Sequence, residues 1–164
     1  MRKLIIILFT LLSINLFAEN KFQTISLDLT LGVVGTTELQ SNCLLSYHHP
    51  LLKNTALRAE IGLMGSESLE FLDVLLGVTQ RKLWKYIGIS ASIMGELGIP
   101  SENNTFTAGI IIEGRLILLP FKLISTNNIL SFDLITRGGV FYLLEKNSGN
   151  EGKFSVGIGL TYHF

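Results

Sequence analysis

Residues 154–164 read FSVGIGLTYHF. Phe154, Val156, Ile158, Leu160, Tyr162 and Phe164 are large and apolar, and Ser155, Gly157, Gly159, Thr161 and His163 alternate with them. A period of two sends successive side chains to opposite faces of a strand, whereas a helix repeats every 3.6 residues. The stretch is a two-faced strand, and the sequence stops on its last aromatic.

The same alternation recurs seven times upstream. Segment 22–33 sets Ile25, Leu27, Leu29, Leu31 and Val33 against Thr24, Ser26, Asp28, Thr30 and Gly32. Segments 39–49, 56–64, 70–79, 85–94, 105–118 and 129–142 repeat the pattern, with Leu44 as a break in the second strand. Between them lie GTTE, KNT, GSES, TQRK, GIPSENN, STNN and EKNSGNEG, rich in the Gly, Asn and Ser that turns require. Pro50 and Pro120 lack the amide a sheet ladder needs, so they are expected at or beyond strand ends.

Composition says what kind of sheet this is. Charged residues make up 16% of the chain and mean hydropathy is +0.46, against about 25% charged in soluble domains. Beyond the first segment no apolar run approaches the ~20 residues of a membrane-spanning helix. Residues 1–18, MRKLIIILFTLLSINLFA, carry Arg2 and Lys3, an apolar run and a closing Ala18, the layout of a cleaved secretory signal peptide. Residues 19–164 then form one barrel domain. Losing Arg2 and Lys3 leaves a slight acidic excess, so nucleic acid is not an expected partner. Cys43 is the only cysteine, which excludes an intrachain disulfide and a cysteine metal cluster.

An alternating barrel can hide its apolar face around a ligand or show it to lipid. The polar face here is poor in Lys and Glu and rich in small residues, among them Gly32, Gly62, Gly77, Gly88, Gly109, Gly157 and Gly159. That composition suits a narrow lumen better than a solvated outer wall. In an up-and-down meander, Tyr47, Tyr162 and Phe164 fall at one rim with Trp84 nearby, and Phe106, Tyr142 and Phe154 at the other. Such aromatic bands mark membrane interfaces. The expectation is an all-β, eight-stranded antiparallel up-and-down transmembrane β-barrel with an even strand count and both termini on one side.

The tail Val156-x-Ile158-x-Leu160-x-Tyr162-x-Phe164 resembles the C-terminal β-signal of bacterial outer-membrane proteins. With the signal peptide and eight strands, the chain resembles the small eight-stranded outer-membrane barrels of the OmpA, OmpX and OmpW type. The resemblance implies a Gram-negative-type outer-membrane location, a barrel-assembly machinery that reads the last strand, and outer-membrane lipid as surroundings. A monomer is expected, and no cofactor.

A barrel of eight strands has an interior just wide enough for its own side chains. The inward charged residues are Asp28, Arg58, Glu60, Asp73, Glu113, Arg115, Asp133, Arg137 and Lys153, nearly balanced in sign. Balance favours a paired network over an ion-selective pore. Arg58–Glu60 and Glu113–Arg115 are same-face neighbours two residues apart. Ser46 and His48 show, in reversed order, the spacing used by lipid A deacylases, but both face inward; no enzyme is expected. His48, His49 and His163 fall near one rim and are read as interfacial rather than metal-binding. The outer connections near 34–38, 65–69, 95–104 and 143–151 are short, against a large adhesive surface. The functional expectation is a structural or accessory envelope protein with a lumen plugged by polar and charged side chains. A narrow, porin-like channel for small or apolar solutes is the alternative, and a soluble exported lipocalin-like binder the third reading.

Overall fold

The computed structural model describes residues 23–35, 38–66, 70–100, 106–122, 129–143 and 150–164. The expected signal peptide, residues 1–18, lies outside them. Eight strands follow in chain order: β1 Thr24–Val34, β2 Glu38–Leu52, β3 Thr55–Ser66, β4 Glu70–Leu83, β5 Ile87–Pro100, β6 Thr107–Lys122, β7 Ile129–Leu143 and β8 Asn150–His163. Each pairs antiparallel with the next, and β8 returns to β1, so the sheet closes without an edge.

The register fixes the barrel's dimensions. Thr24 pairs with His48, and successive partners run through Arg58, Gly77, Met94, Ile111, Gly139 and Lys153 to Val34, ten residues beyond Thr24 on β1. A shear of ten over eight strands tilts them about 40° and gives a backbone radius of about 8 Å. That interior admits side chains and little else.

Alternation now reads as inside and outside. Along β1 the buried residues are Thr24, Ser26, Asp28 and Thr30, and the exposed ones are Ile25, Leu27, Leu29 and Leu31. The same holds along β5, where Ser90, Ser92, Met94 and Glu96 point in. The apolar face is the outer one: Leu39, Leu63 and Leu76 are 70%, 67% and 64% exposed. The lumen is lined mainly by polar and small side chains, the reverse of a lipocalin-like interior. Phe132 and Tyr142, both exposed, stand ten positions apart on β7, which at this tilt is about 25 Å along the barrel axis.

Several strands run further than alternation alone predicts. Segment 79–82, expected as a turn, belongs to β4, whose connection to β5 is Trp84–Tyr86. Gln80 and Lys82 point outward at the rim, so a polar run there marks the end of the apolar band and not the end of hydrogen bonding. β5 likewise continues past residue 94 to Pro100, and β8 begins at Asn150. Pro50 and Pro120 lie inside β2 and β6, a correction to the expectation that they stand at or beyond strand ends. Both fall at register shifts, between Pro50 and Leu52 and between Leu118 and Phe121, where a bulge tolerates a missing donor.

Candidate functional site in the barrel lumen

Every second residue of each strand points inward, and at a radius of about 8 Å residues from opposite walls meet. Arg58 on β3 crosses the lumen to Glu113 on β6, donating Nη2 to Oε2 at 2.9 Å and Nη1 to Oε1. It also pairs with Glu60, approaches Asp28 at 3.4 Å, and donates to Ser92 Oγ at 3.0 Å. Arg115 donates Nε to Glu113 at 2.6 Å and Nη1 to Asp28 and Asp133, both at 3.1 Å. Arg137 donates Nε to Glu113 at 2.6 Å and Nη2 to Asp28 and Glu60, both at 3.2 Å. Four carboxylates and three guanidiniums thus form one buried network in which Glu113 serves all three arginines.

Such a network needs room, and glycine supplies it. Gly159 pairs with Asp28 on one side and Asp133 on the other. A Cβ there would sit 2.5 Å from Asp28 Oδ1 and 3.5 Å from Arg115 Nη1. Gly159 therefore leaves the space into which the Arg115–Asp28 pair folds, while Gly157 lets β8 lie close against Leu29 and Thr30 of β1.

Asp28, Glu60 and Glu113 bring carboxylate oxygens within 4.8 Å of one another, a spacing a metal ion would accept. The guanidiniums of Arg58, Arg115 and Arg137 already fill that position. The donor set is thus neutralised by the chain itself and does not fit a cation.

A second, smaller cluster lies toward the end of the barrel where β1, β3, β5 and β7 finish. Lys153 on β8 pairs with Glu96 on β5 and stands 4.0 Å from Asp73 on β4. Its ammonium also lies 3.8 Å from Met64 Sδ. Leu44, Leu75, Met94 and Ile111, all fully buried, form an apolar group between the two clusters. Register places it there: Leu75 pairs with Glu60 of the central network on one side and with Glu96 of the second cluster on the other.

Toward the opposite mouth, which holds the start of β1 and the end of β8, polar contacts continue. Ser131 donates to Asp133 at 3.0 Å and meets His163 Nε2 at 2.8 Å, while Thr161 donates to Asp133 at 2.7 Å. Arg81 reaches His163 Nδ1 at 3.3 Å. Ser46 Oγ is taken by Ser26 Oγ, and His48 Nε2 is buried without a hydrogen-bond partner among the described residues. His48, His49 and His163 are all buried near this mouth. Cys43 is exposed on the outer wall.

The structure places Asp28, Arg58, Glu60, Glu113, Arg115, Asp133 and Arg137 in one network, and Asp73 apart from them with Lys153. Sequence reasoning missed Glu96 and Arg81. Both sit on strand extensions, and continuing the two-residue alternation past residues 94 and 79 would have found them. Val156, Ile158, Leu160, Tyr162 and Phe164 all project from the outer wall. The rings of Tyr162 and Phe164 stack at 5.8 Å, and Phe164 N donates to Gln23 O at 3.0 Å.

No family model matches the sequence, and neither does any curated protein. Solved structures that resemble it include the following two. The N-terminal β-barrel domain of Pseudomonas aeruginosa OprF superposes with a TM-score of 0.55 at 15% identity, over 86% of this chain and 97% of that one. A structure from de novo design of transmembrane β-barrels gives 0.44 at 12% identity, over 87% and 97%. The OprF likeness is one of fold, and it agrees with the closed eight-stranded antiparallel barrel traced by the register.

Proposed function

We propose that this chain is an integral outer-membrane barrel with a structural or accessory envelope role, monomeric, its lumen plugged by its own side chains. The carrying observation is the inversion of the usual protein: leucines and isoleucines cover the outside while arginines and carboxylates are buried within. In water such a surface would aggregate; in a bilayer it matches the solvent, and the aromatic spacing of about 25 Å fits the apolar band of an outer-membrane barrel. The signal-peptide layout supports export, and the alternating outer face of β8 supports recognition by the barrel-assembly machinery. Pairing of the lumen acids with arginines, and of Ser46 with Ser26, supports a role without catalysis.

Fractionation tests the location. The protein should remain with outer membranes until detergent is added, and its gel mobility should shift on heating. Recovery in the soluble periplasmic fraction would overturn the reading. Planar-bilayer recording tests the plug: refolded protein should give no reproducible openings. Steady conductance altered by Arg115→Gln would instead establish the narrow-channel reading.

A further inference from the structure

The two ends of the barrel differ in the charges their strands and turns carry. At the end where β1 starts and β8 finishes, residues 49–57, 77–89 and 117–130 span the connections from β2 to β3, β4 to β5 and β6 to β7. Together these stretches hold Lys53, Arg81, Lys82, Lys85 and Lys122 and no Asp or Glu. At the other end three strands open on acids: β2 on Glu38, β4 on Glu70, and β8 on Asn150 followed by Glu151. Arg81 turns into the lumen toward His163 and so belongs to the plug.

Three of the lysines share one side of the rim. The Arg81 amide donates to Asn54 O at 2.8 Å, which ties the Lys53–Asn54 turn to β4 beside Lys82. Lys82 is the last outward residue of β4, beyond the apolar Leu72, Val74, Leu76 and Val78. The turn Trp84–Tyr86 follows, closed by Trp84 N donating to Ile87 O at 2.7 Å. Lys82 Nζ stands 5.3 Å from the Trp84 ring, and Lys85 Nζ 5.1 Å from the Tyr86 ring. Lys53, Lys82, Trp84, Lys85 and Tyr86 are all exposed. Among the described residues no carboxylate pairs with any of the three lysines.

Like charges gathered at the edge of an apolar wall repel one another unless anions stand among them. An ammonium over an aromatic face is held in place by the ring and keeps N–H groups for an outside acceptor. Trp and Tyr prefer the depth at which headgroups meet acyl chains, so the same turn sets the height at which the lysines stand. We propose that this face docks on anionic phospholipid headgroups. Lys53, Lys82 and Lys85 meet the phosphates, and Trp84 and Tyr86 border the first acyl carbons. Such docking rests on the membrane-barrel reading and adds to it a choice among lipids, in the leaflet around the start of β1 and the end of β8.

Trp84 is the only tryptophan and lies within the face, so its quenching reports which lipid stands there. The full chain is refolded into vesicles of equal parts phosphatidylcholine and phosphatidylglycerol, with bromines on the upper acyl chains of one lipid or of the other. The ratio of the two quenching efficiencies should show phosphatidylglycerol enriched about fivefold at Trp84, the effect of a single cation at an anionic surface. Lys53→Gln/Lys82→Gln/Lys85→Gln, altered only at exposed positions, should bring the ratio close to unity, and Glu151→Gln at the other end should leave it unchanged. If the triple variant does not fold, salt at about 1 M, which confines charge interactions to about 3 Å, should lower the wild-type ratio in the same way. Equal quenching by both lipids overturns the docking and leaves the membrane barrel standing, as does a ratio that neither the variant nor salt lowers. No quenching by either lipid overturns both.

Discussion

Replacing Arg58 with methionine should be the most damaging single change to the lumen. Its side chain is fully buried and pairs with Asp28, Glu60 and Glu113, whose carboxylate oxygens lie within 4.8 Å of one another. At an effective dielectric of about 20, each pair of like charges at that spacing repels by about 3.5 kcal/mol. Arg115 and Arg137 remain and offset most of this, so the net loss should resemble that of other broken buried pairs, about 3–5 kcal/mol. With a urea slope of about 2 kcal/mol/M, the unfolding midpoint of the micelle-bound protein would fall by about 2 M. Trp84, the single tryptophan, reports the transition from the rim. Arg58→Met/Glu60→Gln restores the cluster's formal charge to its original value and should recover a good part of the loss. A drop below about 1 kcal/mol for the single variant, or a double variant as unstable as both singles added, would refute the reasoning.

Three further outcomes follow from other parts of the wall and lumen. Ile112→Arg, midway along β6 on the outer face, should cost about 2–4 kcal/mol in lipid vesicles, and Leu39→Arg at the start of β2 about 0–1; equal costs at both depths would contradict a membrane-spanning wall. Gly157→Val should abolish the heat-dependent mobility shift, because a Cβ there meets the Leu29 carbonyl and stands 2.6 Å from Thr30 Cα; Gly138→Ala, with nothing within 4 Å, should fold normally. Lys153→Met leaves Asp73 and Glu96 facing each other unpaired, so it should lower the urea midpoint, and adding Asp73→Asn should raise it again.

The alternation of FSVGIGLTYHF and its seven counterparts was enough to read strand count, facing and most of the inward charged set, all but Glu96 and Arg81, because side-chain direction follows directly from a period of two. The partners of those charges were not legible in the same way. Arg58–Glu60 and Glu113–Arg115 could be expected from spacing alone, and both pairs form. Arg58 with Glu113, fifty-five positions apart, and Lys153 with Glu96, fifty-seven apart, meet only because the sheet closes with a shear of ten. Shear is set by the whole ladder of registers, which no single strand carries. Strand ends were misplaced for a related reason: at the rim, Gln80 and Lys82 are polar because water is near, and polarity there mimics a turn.

The breaks in the pattern turn out to have a place in the fold. Leu44 departs from alternation because it points into the lumen, where it meets Leu75, Met94 and Ile111. This apolar group separates two buried charge clusters, each with one more carboxylate than cations. A near-balanced tally of charges treats the lumen as a single network and hides that separation. An ion crossing the barrel would have to displace the three arginines, pass an apolar layer that offers it no hydration, and then open the Lys153 pair. Each step is costly by itself, and the highest of the three sets the rate of crossing. In the plugged-lumen reading proposed above, the apolar layer is a barrier of a different kind from the paired charges, since charges can exchange partners and leucines cannot solvate an ion.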